Sequence, residues 1–339
     1  MKINSLPNYA FLNIRSCSRR KFIRESVVCL AAASLWKQLA LQAADDPSAG
    51  SILPPRKMKI CLGPGMIGIR ANMAESMRLA SEYGFEAIEP SLGELASMSD
   101  TAMSQFREDL KAKGLVLGAA GTGMPIGRPA DEFNSWLGNF NKQTAALQKA
   151  GGKRLVTWIS CCDAKLEYAD NFRLHAQRVR EIATMLADQD ISLGLEYIGP
   201  KTSWTRQKFP FIHTMRQMRE LITETGKRNI GLLLDSWHWY TAGDKVSDIL
   251  ALGNEDVVGV HINDAPAGIA VDQQLDNRRA LPASTGVIDI GGFLGALQKI
   301  GYDGPIAAEP FDSSLGKLPG TQAVQRTIEA VRKALALAK

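Results

Sequence analysis

Four side chains able to hold a cation or move a proton each close a short apolar run. Glu196 ends Gly194-Leu195-Glu196, Asp235 ends Leu233-Leu234-Asp235, His261 sits in Val260-His261-Ile262, and Glu309 follows Ala307-Ala308. Runs of this kind are buried, and a carboxylate placed there is costly unless it is paired or bound to a metal. Taken singly, each charge reads as a surface loop residue. Four of them on consecutive strands read as a site for one divalent metal ion. Three carboxylates and one imidazole make a hard, mostly oxygen donor set, which suits Mn²⁺, Mg²⁺ or Co²⁺ better than structural zinc. Ligand types alone do not choose among Mn, Mg, Co and Zn for a reactive site.

The elements that must position these groups alternate along the chain. Short β-branched segments near Met58–Leu62, Ala87–Pro90, Val116–Ala120, Leu155–Ile159, Ser192–Tyr197, Gly231–Asp235, Val257–Ile262 and Pro305–Glu309 read as eight strands. Stretches of helical period follow each one, over 72–83, 101–113, 130–149, 171–188, 210–225, 245–252, 290–300 and 321–337. Several of these end at a glycine suited to a left-handed stop, such as Gly84, Gly114 and Gly226. Eight βα units predict an α/β chain closed into a single (βα)8 TIM barrel over 57–339. An open doubly wound sheet is disfavoured because no Gly-x-Gly-x-x-Gly turn follows a strand. In such a barrel the active face lies at the carboxyl ends of the strands, where the four groups fall.

The order Leu-Glu, Asp-x-x-His, His-x-Asn-Asp and Glu-Pro-Phe on the fifth to eighth predicted strands resembles the xylose-isomerase-like sugar isomerase and epimerase superfamily. The likeness covers the chain from about Lys57 onward. It implies that Glu196, Asp235, His261 and Glu309 bind one metal and that Glu196 and Glu309 form an acid/base pair. It also implies that His238, three residues after Asp235, contacts substrate oxygens. Asn277-Arg278-Arg279-Ala280-Leu281-Pro282 resembles the family's Asn-Arg-x-x-Pro loop and gives Arg279 an anion-stabilising role. The family's Pro-Gly continuation is replaced here by Pro282-Ala283-Ser284-Thr285-Gly286.

Elementary chemistry leads to the same reaction class. Isomerising or epimerising a keto sugar requires removal of a proton next to a carbonyl, and a metal stabilises the resulting enediolate. One carboxylate takes the proton and a second returns one to the other face or the neighbouring carbon. Glu89, ending the second strand, is a candidate substrate contact. Trp237, with Trp158, Trp204 and Trp239, is a candidate for stacking on sugar C–H faces. His175 shares the spacing of Val179, Ile182 and Leu186 and reads as a satisfied histidine against the sheet. His213 falls on a polar face. The long connection from Ala265 to Gly286 reads as a lid or binding loop.

The formal charge of +5 at pH 7 is concentrated at the amino end: seven of the 40 basic residues but one of the 35 acids fall in 1–44, so the body is close to neutral. That balance argues against a nucleic-acid partner, which needs clustered Lys and Arg on the folded domain. Residues 1–44 resemble a twin-arginine export signal, with Ser18-Arg19-Arg20-Lys21-Phe22-Ile23 ahead of an apolar run from Val27 to Trp36. The run is too short to span a bilayer. Residues 45–56 read as a linker, and the implied location is the periplasm. Cys61, Cys161 and Cys162 do not make a disulfide framework.

No glycine-rich phosphate cradle follows the last two strands, which points to an unphosphorylated keto sugar or glycoside as the small-molecule partner. The competing readings are an exported barrel that only binds sugar, a keto-glycoside lyase that begins with the same proton abstraction, and an abasic-site endonuclease. The last needs three zincs, whereas this chain has four histidines. The sequence leaves the oligomeric state open.

Overall fold

The structure, a computed structural model, describes Leu53–Lys339. The export signal and all but the last four residues of the expected linker lie outside the described residues. In chain order the strands are β1 (Lys59–Leu62), β2 (Ala87–Ile88), β3 (Val116–Leu117), β4 (Ala120–Gly121), β5 (Arg154–Trp158), β6 (Cys162–Asp163), β7 (Ser192–Glu196), β8 (Phe209–Pro210), β9 (Ile230–Asp235), β10 (Val257–Ile262) and β11 (Pro305–Ala308). β6 and β8 form a small antiparallel pair of their own. The other nine run in the order β3-β2-β1-β11-β10-β9-β7-β5-β4, all parallel. β3 and β4 are the two halves of the predicted strand Val116–Ala120. One half pairs with β2 and the other with β5, so the sheet closes on itself as an eight-staved barrel.

Helices follow the strands as the periodicity predicts, including Met73–Tyr83, Ala130–Lys149, Tyr168–Ala187, Ile290–Lys299 and Gly320–Ala336. The Tyr168–Ala187 helix turns His175, Val179, Ile182 and Leu186 inward, and all four are buried. The helix expected over 210–225 begins later, at Met215. Phe209 and Pro210 are taken up by pairing with β6, and Thr214 supplies the cap by accepting from the Gln217 backbone N–H. Three short helices escaped the sequence reading, Leu92–Ser97, Lys201–Trp204 and Ser236–Ala242. Segments that short show no readable period.

β9 and β10 are buried at every position, as expected of parallel strands covered on both faces. Side chains alternate across a strand, so every second residue enters the barrel. One inward layer holds Val156, Gly194, Leu233, Gly259 and Ala307. Two residues further along the same strands come Trp158, Glu196, Asp235, His261 and Glu309. The lower layer is small because the axis is crowded: a Cβ on Gly194 would lie 3.0 Å from Val156 Cγ1 and from Val258 Cβ, and one on Gly259 would lie 3.0 Å from Val156 Cγ1. β10 carries an irregularity between Val257 and Gly259 that brings His261 level with Asp235 on β9. Such bulges re-aim side chains next to sites.

Candidate metal centre and active site

The strand ends bring together the four groups singled out by type and spacing. Glu196, Asp235, His261 and Glu309 each offer a donor atom, and these atoms lie within 4.8 Å of one another. Asp235 is fully buried and Glu196 and His261 nearly so. His261 Nδ1 stands 3.9 Å from Glu196 Oε1 and 3.4 Å from Glu309 Oε2, ion-pair distances rather than hydrogen bonds. Glu196 Oε1 and His261 Nδ1 are buried without any hydrogen-bond partner. Two orphaned donor atoms aimed into one cluster, beside carboxylates of like charge, are what a cation would satisfy. The donor set therefore fits one divalent metal.

Titration of the groups follows from this crowding. Burial, reinforced by Glu309 and Asp235, pushes the Glu196 carboxyl well above the usual carboxylate range. Burial works the same way on Glu309, but the His261 and Arg279 charges outweigh it and hold this carboxyl well below that range. Burial disfavours charge on His261, yet Glu309 and Glu196 raise it to about 9.

Asp235 is held from several sides. Its Oδ1 accepts from the Trp237 backbone N–H at 2.6 Å and from Asn263 Nδ2 at 3.1 Å, and its Oδ2 accepts from Arg279 Nη1 at 2.8 Å. It is also the N-cap of the Ser236–Ala242 helix that begins at the strand end. That helix carries His238 into the cavity. The Gly199 backbone N–H donates to His238 Nδ1 at 3.2 Å, so in the neutral ring the proton sits on Nε2, 3.9 Å from Glu196 Oε1 and 3.8 Å from Asp276 Oδ1. Burial, then the Arg279 charge, lowers the His238 pKa against the pull of Asp235, which keeps the ring neutral. Arg279 Nη2 lies 3.3 Å from Nε2. In that tautomer both nitrogens carry protons, so the contact is repulsive and Nε2–H is left to find another acceptor.

Arg279 itself is buried, with Nη1 2.8 Å from Glu309 Oε2 and Nη2 2.8 Å from Asp276 Oδ1. The altered Pro282–Gly286 continuation does not displace it. Ala283 takes a left-handed backbone at φ 57°, and Asp264 ties the loop down. The Asp264 carboxylate accepts from the backbone N–H groups of Ala265, Thr285, Gly286 and Ile288, while its own backbone bridges to Ala280. The 265–286 connection is thus anchored at its base, with Arg279 inserted beside the four clustered groups.

Glu89 lies where the sequence placed it, lining the barrel mouth with its carboxylate against Gly121, whose N–H donates to Oε1 at 3.3 Å. A Cβ on Gly121 would come within 2.8 Å of that oxygen, so the glycine makes room for it. Burial raises the Glu89 pKa against the opposing charge of His261. Trp237 is a correction: it is fully buried beneath the site, its ring 5.5 Å from the Arg279 guanidinium carbon, and it reaches no cavity. Two residues past Asp235, on the first turn of the helix, it points into the core while Asp235 points into the barrel. Trp239 is likewise core, against Phe293, and Trp204 stacks on His213. Trp158 alone of these four lines the cavity. His175 is a buried core residue, Nδ1 2.9 Å from the Asn171 carbonyl.

Sequence reading missed Asn263 and Asp276, which hold Asp235 and Arg279 from behind, and Phe311 at the cavity wall. Asn263 and Phe311 stood inside quoted motifs, so the signal was present. Their roles depend on side-chain direction, which the motif does not carry.

Residues 77–334 match the xylose isomerase-like TIM barrel family. An inosose isomerase of Bacillus velezensis is 22% identical over 288 residues, covering 81% of this chain and 97% of the relative. A xylose isomerase domain protein from Alicyclobacillus acidocaldarius superposes with a TM-score of 0.70 at 26% identity, covering 83% of this chain and 99% of the other. The crystal structure of an IOLI protein with a bound zinc atom gives a TM-score of 0.70 at 19% identity, covering 82% and 98%. The match spans three quarters of the chain and takes in all four clustered ligands: the protein belongs to the xylose isomerase-like TIM barrel family.

Proposed function

We propose that the protein is a metal-dependent sugar isomerase or epimerase that abstracts a proton next to a carbonyl of an unphosphorylated keto sugar or glycoside. The observation that carries this reading is the placement of two carboxylates, Glu196 and Glu309, in one buried cluster with Asp235, His261 and the Arg279 guanidinium. Passive sugar binding has no need of such a pair. Inosose isomerase and ketose 3-epimerase are among the named relatives, in keeping with this chemistry.

Glu196, Asp235, His261 and Glu309 would hold the ion. When bound, a divalent metal there supplies Lewis-acid stabilisation of the charge that grows on the carbonyl oxygen. Glu196 and Glu309 stand on β7 and just after β11, three strands apart around the ring, so a substrate between them meets a carboxylate on each side. One removes the proton and the other returns it to the opposite face or the neighbouring carbon. His238 Nε2–H donates to a substrate oxygen, and Arg279 holds Glu309 in place while opposing negative charge on the substrate. Glu89 accepts from or donates to a hydroxyl on the far side.

Incubation in D₂O with ketoses, inososes and keto-glycosides, followed by NMR, tests this. Deuterium should enter next to the carbonyl and should fail to enter in a Glu196→Gln, Glu309→Gln double variant. Exchange surviving in that variant would remove these carboxylates from the chemistry. Activity confined to phosphorylated sugars would overturn the substrate class. The Arg19-Arg20 leader further supports export to the periplasm, where unphosphorylated sugars are found. Arg19→Lys with Arg20→Lys should trap the protein inside the cell, and unchanged export would overturn that reading.

A further inference from the structure

The barrel mouth holds a series of connected cavities. One of about 520 Å³ is lined by His238, Arg279 and Asp276. A second, of about 380 Å³, runs toward β1, β2 and β4 and is lined by Met66, Glu89 and Gly123. Trp158, Glu196, Glu309 and Phe311 line both, so the proposed acid/base pair stands at the junction. A third cavity of about 340 Å³ shares Glu89 and Gly121 with the second and extends it outward to Gln143. Each lies in the range of roughly 300–1,000 Å³ that accepts a ligand of drug size. A single sugar ring at the junction would leave most of this groove to water.

The walls at the junction are unusual for this protein. Among the described residues, Trp158 and Phe311 are the only exposed aromatic side chains, at 57% and 44%. Every other Trp, Phe and Tyr among the described residues is buried or half-buried. Phe311 also adopts φ 41°, a left-handed backbone that costs a bulky residue on the order of 1–3 kcal/mol. That conformation sets its ring 4.5 Å from the Arg279 guanidinium carbon, at the cavity wall and not in the core. Strain and solvent exposure of two large rings at one spot are unfavourable in the free protein. Both are offset when an apolar face covers them.

We infer that the substrate is a glycoside and not a free monosaccharide. Its reacting sugar occupies the cavity of His238 and Arg279, and its substituent ring lies in the Glu89 cavity against Trp158 and Phe311. The substituent is a ring with an apolar face, either a second sugar or an aromatic aglycone. Glu89 and the Gly121–Gly123 backbone supply polar partners for its edge. This assignment rests on the sugar reading above and narrows it.

Calorimetric titration of the metal-loaded full chain with the 3-keto forms of glucose, methyl β-glucoside, cellobiose and phenyl β-glucoside tests it. The keto forms of cellobiose or phenyl β-glucoside should bind at least tenfold more tightly than those of glucose or methyl β-glucoside. A preference for the cellobiose form names a second sugar and one for the phenyl compound an aromatic aglycone. Trp158→Ala with Phe311→Leu should collapse the ratio toward one while metal content is retained, and Trp158→Phe should restore part of it. Similar affinities for all four probes, no binding of either larger probe, or a ratio that survives the double variant would overturn the inference. A persistent ratio in wild type without deuterium exchange on any sugar would leave this subsite standing and sink the proposed reaction.

Discussion

Arg279 meets Asp235 across 44 residues of sequence, Nη1 to Oδ2 at 2.8 Å, and both side chains are buried. The same nitrogen holds Glu309 Oε2 at 2.8 Å, so one guanidinium ties two of the four clustered ligands to the 265–286 loop. Replacing it tests whether its role is charge or packing. Arg279→Ala should lower kcat/KM by roughly 10²–10³, the loss typical of removing one preorganised donor at a developing charge. Arg279→Lys should recover little, because an ammonium cannot span Asp235, Glu309 and Asp276 as a planar fork does. Metal content should remain near one per chain in both variants, measured by elemental analysis. Recovery of full activity in the lysine variant would show that charge alone suffices.

The four-ligand cluster predicts about one Mn, Co, Mg or Zn per chain in the purified protein. Glu196→Gln and His261→Ala should each reduce metal retention after dialysis. Chelation of the wild type should lower Tm, and readdition of metal should restore it. A ligand present at 100 times its Kd contributes about 2.7 kcal/mol to stability. Full occupancy in both variants would dissolve the site.

His175 gives a pH dependence located away from the four clustered groups. Burial lowers its pKa to about 4, against 6.5 for a free histidine. As pH falls through the unfolded value, the unfolded chain takes up a proton that the folded chain refuses. Stability is therefore whole above about pH 6.5 and declines down to about pH 4, by roughly 3 kcal/mol in total. Urea unfolding at pH 7.5 and 4.5 should show this decline, and His175→Gln should flatten it. An equal slope in the variant would assign the acid sensitivity elsewhere.

Asp264 anchors the loop that delivers Arg279. Asp264→Ala removes the acceptor of four backbone N–H groups and should cost about 2–4 kcal/mol, since bonds to a charged acceptor contribute about 1.5–3 kcal/mol each and water replaces some of them. Hydrogen exchange at Thr285, Gly286 and Ile288 should speed up before global unfolding. Unchanged protection at those amides would mean that the loop is held by its other contacts.

Glu196, Asp235, His261 and Glu309 were legible in the sequence because each is a polar group at or near the end of an apolar run. That all four face the axis at one level was not, because β9 and β10 are buried at every position and the irregularity in β10 shifts its register. The helices were legible from period, except where a cap or a tertiary pairing overrode it, as at Phe209-Pro210 before Met215. Trp237 misled because a place near a strand end says nothing about direction on the first turn of a helix. Phe311 stood in a motif, but its place at the cavity wall was not legible, because a left-handed phenylalanine has no sequence signature.

All four clustered ligands lie beyond residue 190, whereas the stretch before it brings Glu89, Gly121 and Trp158 to the mouth. The cation-holding groups and one wall of the mouth are thus carried on separate lengths of chain, while Phe311, His238 and Arg279 complete the mouth from the same length as the clustered groups. Substitutions within residues 57–158 can reshape that wall of the mouth without replacing any of the four clustered groups. Exchange of the whole stretch would disturb more than the seams of β1 with β11 and β5 with β7, because Arg154 reaches the Val258 carbonyl and Asp303, and Arg178 reaches the carbonyls of Ile126 and Arg128.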